Sequence, residues 1–260
     1  MKRREAAVSG LFYEGDARRL QQHIDGLLSA TRAHDNPSPR ALIVPHAGYI
    51  YSGQTAAEAY HCLAPLRDSI ERVVLFGPAH RVPLEGMAVP SVDAFSTPLG
   101  DVALDRASIE RIADLPQVCV SDEAHRQEHS LEVQLPFLQT LLEDFTLVPV
   151  VVGYCAPQQV AAVMDALWAG PETLLVVSTD LSHFHHYDEA RQLDTLTCER
   201  VMAKDNSLDG QDACGAQALN GLMSSRLCQS LQVELLAMCN SGDTAGTTDR
   251  VVGYGAFVLH

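Results

Sequence analysis

The chain has no cluster of lysine and arginine along its 260 residues; 33 acidic against 18 basic side chains leave a formal charge of −15 and a pI near 5.0. Binding a phosphate backbone or an anionic membrane surface needs the opposite sign, so nucleic acid and membranes are excluded as expected partners. No apolar run approaches the roughly 18 residues of a bilayer span. The opening Met1–Phe12 is basic at its start but lacks the apolar stretch of about 7–15 residues that completes a signal peptide, so it is expected to be mature sequence. Seven cysteines form an odd set without a CxxC pair, which argues against a disulfide framework or a zinc finger and leads to the expectation of a reducing, cytoplasmic setting. In apolar surroundings, such as those of Cys119 between two valines, they are expected to be small buried hydrophobes. There is no internal repeat, low-complexity tract or long linker, and a hydrophobic content of 47% excludes disorder as the main state. One domain over residues 1–260 is expected.

What is present is a series of short runs rich in Val, Ile and Leu at 41–44, 73–76, 87–89, 147–152, 174–177, 231–237 and 251–259. Most are continuous rather than alternating, as in strands covered on both faces. Between them lie helix-period segments at 17–30, 54–66, 105–115, 128–143, 157–169, 189–203 and 216–228. This alternation predicts a single α/β domain with a central, mostly parallel or mixed sheet and helices on both faces. Ser52-Gly53 and Asp188 are expected to start helices. Pro136 is expected to kink or break the 128–143 helix, and 241–249 is the most loop-like stretch.

Three histidines follow three of these strands: His46 after 41–44, His80 after 73–76 and His183 after 174–177. Ligands bind at the carboxyl edge of open α/β sheets, and imidazole is a common metal ligand and a neutral-pH acid or base, so the three point to one shared site. His46 and His80 sit among Pro and Gly residues that make tight turns, and Asp180 lies three residues before His183, close enough to orient its ring. Cys214 stands where a loop opens onto the 216–228 helix, a position that lowers a thiol's pKa and suits a metal ligand or nucleophile. Glu128, His129 and Glu132 are expected in the first turns of a helix, with His129 and Glu132 on one face lining the same pocket.

The strings Pro45-His46-Ala47-Gly48-Tyr49, Gly77-Pro78-Ala79-His80, Glu128-His129-Ser130-Leu131-Glu132, Ser178 to His183, Asp212 to Gly215 and Val251-Val252-Gly253-Tyr254 resemble, in order, the motifs of Memo-like proteins. The resemblance spans nearly the whole chain from Gly10. Prokaryotic members are also called protein B of the AmmeMemoRadiSam system, which implies partnership with an AMMECR-type protein and a radical S-adenosylmethionine protein. The resemblance further implies a class III extradiol dioxygenase-like fold with a non-haem iron site. Carried over by position, His46, His80 and Cys214 match the metal ligands, His183 and Asp180 the acid/base pair, and Tyr49, Glu128 and His129 residues lining the pocket. A 2-His-1-Cys set replaces the two His and one Glu of the dioxygenases; thiolate is softer than carboxylate and admits Cu or Zn as well as Fe(II).

Three functions follow as alternatives. The chain is a metal-dependent redox enzyme acting on a small, catechol-like substrate; a non-enzymatic iron-, copper- or partner-binding protein using the same cleft; or a metal-free hydrolase with Cys214 as nucleophile, His183 as base and Asp180 as orienter. The hydrolase leaves His46 and His80 without a role.

Overall fold

The computed structural model describes residues 1–32, 38–168 and 170–260. In chain order its strands are β1 (Arg3–Arg4), β2 (Ala41–Val44), β3 (Arg72–Pro78), β4 (Met87–Val89), β5 (Ala94–Thr97), β6 (Gly100–Ala103), β7 (Val118–Val120), β8 (Thr146–Val152), β9 (Thr173–Ser178), β10 (His183–His185), β11 (Val233–Asn240) and β12 (Val251–Leu259). Its helices are α1 (Ala17–Ser29), α2 (Tyr49–His61), α3 (Arg106–Ala113), α4 (Asp122–Arg126), α5 (Leu135–Leu141), α6 (Pro157–Leu167), α7 (Tyr187–Met202), α8 (Ala216–Ser224) and α9 (Arg226–Ser230).

The continuous apolar runs are strands of one large sheet, in the order β10-β12-β2-β9-β3-β8-β4-β7, with β11 also paired to β12. The four central strands β2, β9, β3 and β8 are parallel, whereas β12 meets β2 and β4 meets β8 antiparallel, so the sheet is mixed. Val73–Phe76 and Leu174–Val177 are fully buried, which explains why these strands show no alternation. Helices flank the sheet: α2 packs on β2, β11 and β12, α7 on β11 and β12, and α8 on β3 and β9. A small second sheet, β1-β5-β6, carries the N-terminal residues.

The helix boundaries depart from the sequence pattern where side chains take over from periodicity. The second helix starts at Tyr49 rather than 54, capped by Gly48, and Gly53 is inside it. Gly53 belongs there because α1 comes close; a Cβ would lie 3.0 Å from Leu27 Cδ1. The segment expected as one helix over 128–143 is a loop, a 3-10 turn over Glu132–Gln134 and then α5. Pro136 falls in the first turn of α5, where its missing N–H goes unmissed, so the helix starts there rather than kinking in the middle. The Glu128 carboxylate accepts from the backbone N–H groups of His129 (2.9 Å) and Ser130 (3.0 Å), a local alternative to helix that displaces these residues from the expected first turn. The 216–228 segment divides at buried Ser225, which accepts from Cys228 N–H to start α9. At α7 the cap is His186, with Asp188 inside the first turn. Cys119 is exposed, contrary to expectation, because β7 is an edge strand; Cys62, Cys155, Cys198 and Cys228 are buried.

Candidate metal centre

Because β2, β3 and β9 run parallel and side by side, their carboxyl ends deliver His46, His80 and Asp180 to one place. The loop before α5 adds His129. Ligand atoms of His46, His80 and His129 all lie within 4.8 Å of one another. Their ring centroids are 5.1 Å (His46–His80), 5.4 Å (His46–His129) and 4.8 Å (His80–His129) apart, the last pair stacked at 21°.

Three positive imidazoles could not coexist at this spacing, and two of the rings are held below their ordinary pKa. Burial, reinforced by the charges of His80, His129 and His183, holds His46 well below its ordinary value. Burial likewise lowers His129 to about 4. A neutral imidazole is the form in which histidine binds a metal, and His46 and His129 are held in it.

Each ring is oriented from behind. His80 Nδ1 lies 2.9 Å from Glu128 Oε1 and its backbone N–H donates to Oε2 at 2.6 Å. Burial pushes the Glu128 carboxyl up, but its hydrogen bonds to His80 and Ser130 and the charge of His80 win and hold it at about 2. An ionised carboxylate only accepts, so His80 Nδ1 carries the proton and Nε2 is left free to face a metal. His46 Nδ1 lies 2.9 Å from Ser178 Oγ. His129 is held by its neighbours rather than by a hydrogen bond: Phe12 sits 4.9 Å away, and the buried Nδ1 lies 3.4 Å from Glu128 Oε1.

Cys214 arrives from the loop before α8. Its Sγ lies 3.3 Å from His46 Nε2 and accepts the Asp180 backbone N–H at 3.3 Å. Gly215 permits this approach, since a Cβ there would lie 2.6 Å from Thr179 Cβ. Cys214 touches the three-histidine group through His46 but stands outside it. The helix start does not lower its pKa as expected; burial, aided by the Asp180 carboxylate, pushes the thiol up to about 12. In this state the protonated thiol, between His46 Nε2 at 3.3 Å and the Asp180 carbonyl at 3.7 Å, is no free nucleophile.

Asp180 turns toward His46 rather than His183. Its Oδ1 accepts the His46 backbone N–H at 2.7 Å, and burial raises its pKa to about 7. His183 stands across the site on β10, partly buried, with its pKa lowered by burial. Phe184 follows in a left-handed conformation, φ +66, that leaves its ring 62% exposed beneath the Arg250 guanidinium. Tyr49 is buried at 4% exposure, with its hydroxyl donating to Val133 O and its ring against Phe137.

Glu132 faces away from the histidines. It is fully buried and accepts from Arg4, from the backbone N–H groups of Ala7 and Val8, and from Tyr13 Oη. Arg4 also donates to the backbone carbonyls of His125 and Glu128. The N-terminal segment is thereby fastened beneath the loop that carries Glu128 and His129. Sequence reading missed Arg4, Ser178 and Gln134; Ser178 lies in a quoted motif, but nothing in the sequence marks Gln134.

A family model described as Memo-like protein matches residues 4–258. The chain is 35% identical to a MEMO1 family protein of Aquifex aeolicus, with 98% of each covered. It is 31% identical to one of Sulfolobus acidocaldarius, over 95% of this chain and 96% of that protein, and 32% identical to MEMO1 family protein MTH_45 of Methanothermobacter thermautotrophicus, over 96% and 98%. With the motifs in order along the chain and the match running almost end to end, the chain belongs to the Memo-like protein family.

Proposed function

We propose that the protein binds one transition-metal ion through His46, His80 and His129, with Cys214 as a fourth donor, and that iron(II) is its native metal, copper or zinc being the alternatives. The observation that carries this is the convergence of three imidazoles, two of them held below their ordinary pKa, on donor atoms within 4.8 Å of one another. One ring nitrogen from each of His46, His80 and His129 fits such an ion. A mixed nitrogen and sulfur donor set suits Fe(II), Cu and Zn.

As an oxidoreductase, the protein would draw redox chemistry from the bound metal, while its own residues do the rest. His183, outside the three-histidine group and partly exposed, is placed to move a proton to or from a small aromatic substrate. Asp180 fixes the backbone of His46.

A holding rather than catalytic role is the second reading, favoured by the donor count. Three imidazoles and a thiolate fill a four-coordinate site and leave no open position, the pattern of structural rather than catalytic metals.

Anaerobic titration with Fe(II), Zn(II) and Cu(I) should give one tight equivalent per chain for wild type and none for His80→Ala. Oxygen uptake with a panel of catechols then decides between the roles. Uptake by the Fe(II) form that His183→Ala loses while keeping its metal supports the enzyme; no uptake with any member supports holding. Absence of stoichiometric metal from wild type refutes both.

A further inference from the structure

Three buried side chains behind His46, those of Tyr60, Gln134 and Ser178, form a chain whose protons are assigned from two backbone carbonyls. Gln134 Nε2 lies 2.9 Å from Pro45 O and 2.9 Å from Ser178 Oγ, and Gln134 Oε1 lies 2.9 Å from Tyr60 Oη. A carbonyl can only accept, so Pro45 O fixes which end of the Gln134 amide is NH2. The amide's second N–H then points at Ser178 Oγ, and Oε1 accepts the Tyr60 hydroxyl. At Ser178 the same logic repeats: Ser130 O, 2.6 Å from Oγ, can only accept, so it takes the single serine proton. Ser178 Oγ has nothing left to donate and faces His46 Nδ1 at 2.9 Å as an acceptor.

We infer that Gln134 and Ser178 are positioning residues that lock His46 in the tautomer protonated on Nδ1, with Nε2 presented bare to the metal; this rests on the metal-binding function proposed above. The opposite tautomer would set a bare Nδ1 against the lone pairs of Ser178 Oγ at 2.9 Å. Its Nε2–H would face only the weak acceptor Cys214 Sγ at 3.3 Å and Asp180 Oδ2 at 3.9 Å, so the contact at Ser178 Oγ decides the tautomer. Tyr60, Gln134 and Ser178 are fully buried and His46 is 2% exposed, so no water competes for these bonds.

His80 is set the same way by Glu128, so one seven-residue stretch, Glu128 to Gln134, dictates the ring orientation of two ligands and supplies His129 as the third. Two different devices, a carboxylate and an amide–hydroxyl relay, yield the same result: a proton on Nδ1 and a bare Nε2. The relay does this at His46 without a charge.

Nitrogen-15 NMR of the metal-free, imidazole-labelled protein tests this directly, with the His46 resonances assigned by their loss in His46→Ala. Wild type should show His46 protonated on Nδ1 and bare at Nε2. Ser178→Ala should give a mixture of tautomers and bind Zn(II) roughly 10–100-fold more weakly, and Ser178→Thr, which keeps the hydroxyl, should restore both. A proton on Nε2 in wild type overturns the inference with no variant needed. So does a Ser178→Ala protein that folds with tautomer and affinity unchanged. A wild type that shows the stated tautomer but binds no metal refutes the proposed function and leaves the relay standing.

Discussion

Loading the site with Zn(II) at pH 8 should release close to one proton per metal, and that proton should come from Cys214. His46, held well below its ordinary value, and His129, at about 4, are already neutral at this pH. The Cys214 thiol is the exception, held at about 12 by burial and by Asp180. Bringing such a thiol to thiolate at pH 8 costs about 5 kcal/mol, which the metal–sulfur bond must exceed if Cys214 is a ligand. The apparent affinity should then rise about tenfold per pH unit above pH 7, because one proton is exchanged per metal. Titration calorimetry in two buffers of different ionisation enthalpy reads the proton count, and Cys214→Ser should bring it to near zero while three imidazoles still bind. Zero release by wild type, with tight binding, would refute the thiolate as a donor and leave a three-histidine site.

Removing Arg4 by Arg4→Met strands the Glu132 carboxylate in the core; breaking such a buried pair costs about 3–5 kcal/mol, read as a shift in the urea midpoint, and a loss under about 1 kcal/mol contradicts it. Glu128→Ala frees the His80 ring and leaves buried N–H groups unpaired, so metal affinity should fall roughly 10–100-fold by competition with a chromophoric chelator, whereas unchanged affinity means His80 is oriented by something else. Stability of the metal-free protein should fall as pH drops from about 6.5 to about 4, because His125 and His129 sit at about 4 in the fold and regain protons on unfolding. Asp180, raised to about 7, acts with the opposite sign, its stabilising proton lost as pH rises from about 4 to about 7. Since His46 and His183 are lowered too, and only Asp194 joins Asp180, four imidazoles outweigh two carboxyls, and a Tm that climbs steadily on acidification would refute the assignment. Gly215→Ala forces a Cβ to within 2.6 Å of Thr179 Cβ and should draw Cys214 from His46, lowering the proton release above without abolishing metal binding.

The sequence by itself settled the fold class, because strand and helix periods are local properties. The runs at 41–44, 87–89 and 251–259 are strands with those same bounds. It also brought out His46 and His80, since a histidine just past a strand's carboxyl end sits on the ligand edge once neighbouring strands run parallel. No helix among the described residues is long and apolar enough to cross a membrane, as hydropathy alone indicated.

What only the tertiary structure decided concerns groups whose partners are far away in sequence. His129 was placed by period on a helix, but the Glu128 carboxylate captures its backbone and puts the ring beside His80, 49 positions earlier. The pKa of Cys214 shows the same limit: a helix start argues for a lowered value, yet burial against Asp180 raises it, and burial is a property of the packed whole. Ser178, Gln134 and Arg4 were silent for a like reason. A hydroxyl, an amide and a guanidinium acquire direction only when the fold brings the carbonyls of Pro45, Ser130 and Glu128 to them.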